Sequence, residues 1–244
     1  MFNIVFISYN EPNAELHWNR LRSRFPLAQR IHGVKGIHKA HKLAALTLKE
    51  CNGYYESLNE SQGQRYYGSH FWIVDGDSDV SDDFNFDIPS DFQWEDTVYV
   101  YKTKNPINDL VYGYGGIKLF PLADALKITP ATLDMTTSIS RYFSVVDKVA
   151  SVTAFNTDPF NTWKSAFREC VKLSSSQIQN QDAATEERLD IWCSVGKDRP
   201  YGEYAIQGAQ QGRKYGADLK DDLEALQMIN NFDWLQFKFK STAV

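Results

Sequence analysis

Short apolar runs separated by polar turns recur along the chain, and their lengths predict an alternation of strands and helices. Residues 2–8 (FNIVFIS) form a nearly continuous apolar run, as expected of a strand buried on both faces of a parallel sheet. Residues 9–13 then read as a loop at that strand's carboxyl end. A helix capped near Asn13 follows to Phe25, with Leu16, Leu21 and Phe25 inward and Pro26 ending it. Residues 30–34 predict a second short strand, and residues 37–50 a helix packing through Leu43, Ala44 and Leu46. Residues 51–69, rich in Gly, Asn, Ser and Gln, read as an insertion or a long connection. Residues 70–74 (HFWIV) predict the next buried strand, which delivers Asp75 and Asp77 to its carboxyl end. Strands are expected at 97–102, 116–120, 139–143 and 149–155, and helices at 160–173, 182–193 and 204–215. The rhythm predicts an α/β fold: a Rossmann-like, mostly parallel central sheet flanked by helices, with a helical carboxyl-terminal part.

Composition narrows the picture. At 244 residues the chain has the size of one catalytic unit, read as a single domain over 1–244 with a nucleotide-binding half (1–105) and an acceptor and catalytic half (106–244). Its 43% hydrophobic residues are enough for a packed core and exclude a disordered chain. No run approaches the roughly 20 apolar residues that span a bilayer. The amino-terminus enters the first strand with no basic region or cleavage site before it. The expectation is a cytoplasmic protein with no membrane association and no obligate protein partner. Cys51, Cys170 and Cys193 are odd in number and lack CxxC spacing, so they read as reduced, mostly buried thiols.

The net charge of −5 argues against a dedicated nucleic-acid binder, yet the charge is strongly polarised. Residues 17–49 carry eight cationic side chains and no acid, whereas residues 75–96 carry nine acids and no base. The basic run reads either as a solvated helix face or as a surface for phosphates. The acidic run suits a cation.

In an open α/β sheet, ligands settle outside the carboxyl ends of the strands, so the loops SYNEP and DGDSD are expected at one crevice. Asp75 and Asp77 flank the flexible Gly76, a spacing that lets both carboxylates approach one hard cation, with water and diphosphate oxygens completing its shell. Mn²⁺ or Mg²⁺ there would offset the charge that collects on a diphosphate leaving group. Asp79 reads as a turn cap before it reads as a third ligand. Ser8, Tyr9, Asn10 and Glu11 offer groups suited to a uracil base and ribose. In HGVKGIHKAHK, Lys35, His38 and Lys39 stand near a helix start that favours phosphate. The spacing of His38 and His41 does not predict a zinc site.

The succession FISYNEP, HGVKGIHKAHKLAA and FWIVDGDSDV resembles the first half of GT-A glycosyltransferases. With YKTKNPINDLVYGYGGIKLFP and FNTDPFNTWKSAFRECVKL it resembles, more narrowly, the TET-associated glycosyltransferase family over about residues 2–173. The resemblance implies a GT-A-like fold and a UDP-sugar donor of glucose-like or arabinose-like type. It implies that the acceptor is the hydroxyl of 5-hydroxymethylcytosine in DNA. It also implies donor-site roles for Ser8 to Glu11 and Lys35 and metal roles for Asp75 and Asp77. Active-site roles follow for the turn containing Gly115, Gly116, Ile117 and Lys118, and for Arg168 with Glu169. An inverting transfer needs a base, for which Glu169 is the first choice, Asp158 the second and Asp134 the third. Glu169 is equally readable as an ion-pair partner of Arg168 or a neighbouring lysine. Tyr54, Tyr55, Tyr66, Tyr67, Tyr112 and Tyr114 are candidates for stacking on an extruded base, or for local packing. The alternatives are a GT-A enzyme acting on a glycan or small molecule, and a non-catalytic nucleotide- or DNA-binding accessory protein.

Overall fold

The structure, a computed structural model, describes residues 2–59, 69–90, 92, 96–113, 115–129, 132–140, 142–177 and 184–242, without the side chains of 51–59, 137 and 138. The chain forms two compact units. The first comprises Met1–Lys104, Val111–Pro130 and Met135–Thr153, and the second Asn105–Leu110, Ala131–Asp134 and Ala154–Val244.

The first unit is built on one sheet. Its strands are β1 (Asn3–Ser8), β2 (Gln29–His32), β3 (His70–Asp75), β4 (Ser78–Val80), β5 (Thr97–Lys104), β6 (Val111–Tyr112), β7 (Ile117–Pro121) and β8 (Tyr142–Thr153). They lie in the order β2-β1-β3-β7-β5-β8-β4, with β6 beside β5. Strands β1, β2, β3, β5 and β8 share one direction, and β7, β4 and β6 oppose it. The α/β class expected from the sequence is therefore the one observed: a mostly parallel sheet flanked by helices, with a helical carboxyl-terminal part.

Alternation along the central strands divides two cores. Ile4 and Phe6 of β1, Trp72 and Val74 of β3, and Ile117 and Leu119 of β7 join Ala14 and Leu21 of helix α1 (Ala14–Arg24). Val5, Phe71, Ile73 and Phe120 face the other way, onto Ala44, Ala45 and Leu48 of helix α2 (Ile37–Asn59). Each fully buried side chain of this size contributes about 1.5–3 kcal/mol, so the strands are apolar at consecutive positions rather than alternate ones. Among the described residues no helix is long and apolar enough to cross a membrane.

The structure corrects the sequence reading in three places. Leu16 is 60% exposed, and Leu43 and Leu46 are each 40% exposed. Leu21 and Ala44 are buried as expected, and the faces they belong to run on through Ala14 and His17 on α1 and through Ala40, His41, Ala45 and Leu48 on α2. Small residues and histidines carry these faces because the helices lie close to the sheet. Helix α2 also continues to Asn59, into the stretch read as an insertion. Finally, the two strands expected at 139–143 and 149–155 are one strand, β8, whose pairing with β5 shifts register between Tyr101 and Thr103. The polar Asp147 and Lys148 at that irregularity have the signature of a turn, and Asp147 reaches back to pair with Lys102 at 2.7 Å.

The second unit is helical, with α5 (Pro159–Ser174), α6 (Ala184–Ser194) and α7 (Gly202–Asp218) at its centre; the short α3 (Leu122–Ala125) and α4 (Met135–Ser138) precede it in the chain. Asp158 caps α5 by accepting from the Asn161 amide at 2.8 Å, and Pro159 occupies the first turn. Trp163, Phe167 and Val171 line its inner face and pack with Leu226, Ile229 and Leu235. Three glycines of α7 bring the two helices together. A Cβ added at Gly208 would collide with the Trp163 carbonyl, at Gly212 with the Phe167 carbonyl, and at Gly216 with Ser174 and Val171. The i, i+4, i+8 spacing is a stripe that only glycine satisfies at this separation.

Two outcomes are expected from this unit. Gly212→Ala forces backbone apart and should lower stability by about 1–3 kcal/mol, read as a drop in the urea midpoint, whereas Glu203→Gln on the exposed side of the same helix should leave it nearly unchanged. The second concerns the thiols: Cys170 is buried and Cys193 half-buried. Hydrogen bonding to the Cys170 thiol, then to the Arg213 guanidinium, brings Cys193 down to about 7, while burial pushes Cys170 well up. Iodoacetamide should therefore alkylate Cys193 with a half-maximal rate near pH 7 and leave Cys170 unreacted, as peptide mass mapping would show. Cys170→Ala should move that midpoint upward.

Candidate functional site

Parallel register brings the carboxyl ends of three strands to one edge. Ser8 ends β1 opposite His32 of β2, and Ile7 lies opposite Asp75 of β3. The Gly33 amide donates to the Ser8 carbonyl at 3.0 Å, which stitches the two turns together. Strand β7 is antiparallel, so its start reaches the same edge: Val74 pairs with Ile117, and the Asp75 amide donates to the Gly116 carbonyl at 2.9 Å. The SYNEP loop, the DGD turn and the Gly116–Lys118 segment thus meet at one address.

Two glycines permit the approach. A Cβ on Gly76 would lie 2.8 Å from Glu11 Oε2 and 2.9 Å from Ser8 Cβ, and one on Gly116 would strike Ser78 Oγ. Glu11 is folded back onto its own loop, its Oε2 accepting from the Tyr9 amide at 2.8 Å. The Gly76 carbonyl accepts from Nδ1 of His17, a buried residue of α1, at 3.1 Å, since a carbonyl has no proton to give.

Ser8 is buried, and its hydroxyl is engaged on both sides. It accepts from Arg30 Nε at 3.0 Å and meets His32 Nδ1 at 2.9 Å. Arg30 Nη2 also points at His32 Nδ1, at 3.2 Å, and because a guanidinium only donates, that ring nitrogen accepts and the ring proton sits on Nε2. Arg30 itself is clamped by Glu15 at 2.7 Å and lies over the rings of Phe6 and Trp18. Arg30, His32 and His17 were not singled out from the sequence. The basic stretch held the signal for Arg30, but only β-pairing to Ser8 reveals its direction.

On the other face of the same edge, Lys118 Nζ lies 2.8 and 3.0 Å from the two carboxylate oxygens of Asp75. Only 3% of the lysine side chain is exposed, against 33% for the aspartate. Lys118 sits in the middle of the sheet, its Cα opposite Ile73 on one side and Val100 on the other. Removing one partner from such a pair costs on the order of 3 kcal/mol, the lower end for buried pairs because Asp75 is partly solvated.

The remaining expected residues fall as follows. Asp77 is half-buried in the turn after β3, and Asp79 in β4 is held by Arg20 at 2.6 and 2.8 Å. Gly36, with φ of 103°, precedes α2 and accepts from the Ala40 amide, so Lys35 and Lys39 flank the helix start as exposed side chains and His38 is half-buried there. His41 is buried, its Nδ1 donating to the Ile37 carbonyl at 2.8 Å. Asn10 is exposed and Tyr9 half-buried. A cavity of about 280 Å³ lined by Lys49, His70, Asp96 and Leu122 lies at the opposite, amino-terminal end of β3, away from all these groups.

Asp158, Arg168, Glu169 and Asp134 belong to the second unit. Burial alone would raise the Asp158 carboxyl, but donation from the Asn161 amide and side chain, and from Thr157, outweighs it and holds the group below the usual range. Arg168 donates to the Ile229 carbonyl at 2.8 Å and to Asn230 Oδ1 at 3.0 Å, and Asp134 pairs with Lys172 at 2.9 Å. Glu169 is half-buried on α5. Of the tyrosines, Tyr112 lies in β6, Tyr66, Tyr67 and Tyr114 fall outside the described residues, and so do the side chains of Tyr54 and Tyr55.

No family model and no curated protein matches the sequence. Among solved structures, the chain is similar to a glycosyltransferase involved in the glycosylation of the major capsid of PBCV-1, at 13% identity and a TM-score of 0.37 over 68% of this chain and 98% of that one. A likeness at that level carries nothing about this chain's donor, acceptor or metal.

Proposed function

We propose that the chain is a glycosyltransferase that moves a glucose-like or arabinose-like sugar from a UDP-sugar to the hydroxyl of 5-hydroxymethylcytosine in DNA. The observation that carries the donor half of this reading is the meeting of Ser8–Glu11, Asp75–Asp77 and Gly116–Lys118 at the carboxyl edge of the sheet, where α/β folds receive nucleotides. The acceptor rests on the resemblance of the segments around these residues to the TET-associated family.

Donor handling follows from the groups at this edge. Lys35 and Lys39 and the amides of the α2 start offer positive charge to phosphate. The Tyr9 ring, the Asn10 amide and the Glu11 carboxylate are suited to a base and ribose, whereas the Ser8 hydroxyl orders the loop through Arg30 and His32. A divalent cation is the usual counter-charge to a diphosphate leaving group. At Asp75, however, both carboxylate oxygens already face the Lys118 ammonium, and Asp79 is held by Arg20. The residues as arranged do not fit a divalent cation at Asp75. Glu169, with Asp158 after it, is the proposed base. The donor site stands independently of either.

The test is transfer of labelled sugar from UDP-glucose and related UDP-sugars to hydroxymethylated DNA, with unmodified DNA and a glycan mixture as parallel acceptors. Label is expected on the hydroxymethylated DNA alone, and Asp75→Ala should lower its rate, because it leaves the buried Lys118 ammonium without the carboxylate that fixes it at this edge. Label on glycans alone would replace the acceptor and keep the donor. UDP at about 100 times its Kd should add about 2.7 kcal/mol to the stability, and no shift with UDP together with no donor consumption would overturn the reading.

A further inference from the structure

We propose that the ammonium of Lys118 takes the cation position at Asp75, so that the nucleotide diphosphate binds without a divalent metal ion. This inference rests on the donor-site reading above and specifies its electrostatics. Lys118 Nζ stands 2.8 and 3.0 Å from the two oxygens of one carboxylate, the place a cation shared by both would occupy. A divalent ion brought to the same oxygens would meet the ammonium as a like charge at contact distance.

Withdrawal of the lysine is not an easy way out. Its side chain is 3% exposed, its backbone is paired on both sides within the sheet, and its Nζ lies 6.0 Å from the Phe120 ring centroid. Leaving Asp75 would strand a charged amine among Ile73, Val100 and Phe120, where burial disfavours the ion.

The other carboxylates at this edge do not build an alternative. Glu11 Oε2 accepts from the Tyr9 amide and stands against Gly76, on the α1 face of the sheet, whereas Asp75 and Lys118 lie on the α2 face. Asp79 is held at two oxygens by Arg20. Among the described residues no group of three or more His, Cys, Asp or Glu side chains is gathered for a metal. Asp77 is a single half-buried carboxylate in the turn after β3, so a hard cation there would take most of its oxygens from the diphosphate and water rather than from the protein. An ammonium has three N–H donors, and Asp75 uses two, so Lys118 brings a fixed cation and a further donor to the edge where charge on a departing diphosphate would collect.

The experiment is a thermal shift with UDP on the full chain, run once in EDTA and once in Mn²⁺, alongside Lys118→Met. The wild-type shift is expected to be the same within error in both conditions. Lys118→Met, checked for folding by circular dichroism, should lose the shift in EDTA and recover part of it in Mn²⁺, because Asp75 is released to bind the ion. A wild-type shift that appears only with Mn²⁺ overturns this inference and leaves the donor-site reading standing. An undiminished shift of Lys118→Met in EDTA also overturns it. No shift under either condition, together with no donor consumption, overturns the donor-site reading and this inference together.

Discussion

Burial of the central strands on both faces is the constraint from which the rest of the first unit follows. Strands β1, β3 and β7 are covered by α1 on one side and α2 on the other, so Phe6, Trp72, Val74 and Ile117 face one core and Val5, Ile73 and Phe120 the other. With no solvated face, a charged or strongly polar group costs least where a strand ends or where it carries its own partner. Both solutions occur at the same edge. Ser8 and Asp75 are the last residues of their strands, and Lys118, the second residue of β7, extends its amine along the sheet to reach Asp75. The chemistry of the edge is therefore as rigid as the core beneath it. Rigidity of this kind is what electrostatic preorganisation requires.

The second unit meets the same demand for close packing by a different route. Helices α5 and α7 touch backbone to backbone through Gly208, Gly212 and Gly216, which frees the large rings of Trp163 and Phe167 to stack on each other and pack toward Leu226 and Phe239. Glycine is a poor helix former, by roughly 1 kcal/mol per residue relative to alanine, so three in one helix are tolerated because the approach they permit offsets that loss. Arg168 also finds its place here. Its guanidinium closes on the Ile229 carbonyl and Asn230, which joins α5 to the turn before the helix Phe232–Thr242, so its visible work is structural.

The sequence carried the fold more fully than the site, for physical reasons that particular residues show. Two-sided burial writes itself into consecutive apolar residues, and FNIVFIS and HFWIV were legible as strands without any partner being known. Helix faces were less legible: the periodic leucines Leu16, Leu43 and Leu46 are exposed, and the contact is made by alanines and by His17 and His41. Hydrophobicity ranks a leucine above an alanine, but a helix close to a sheet needs small side chains. Asp147 and Lys148 gave a false turn for a related reason, since charge within a strand is stable wherever a neighbouring strand supplies the opposite charge, here Lys102. At the site, the loops and their common edge were readable because strand polarity fixes where the ends lie. The partners were not, because pairings such as Ser8 with Arg30 or Asp75 with Lys118 join positions 22 and 43 residues apart that only strand order brings together.

Lys118 shows how far such a partner can change the chemistry of a motif. Two aspartates around a glycine present the same string whether they face water, a metal ion or an amine, and the string by itself favours the metal. Lys118 lies on β7, a strand that runs against its neighbours and so brings its beginning, rather than its end, to the ligand edge. A lysine placed there is buried by the sheet on either side and can satisfy its charge only by pairing forward with Asp75. The antiparallel strand in an otherwise parallel centre thus has a chemical consequence as well as a topological one: it carries a fixed positive charge to an edge that the parallel strands furnish with carboxylates and hydroxyls.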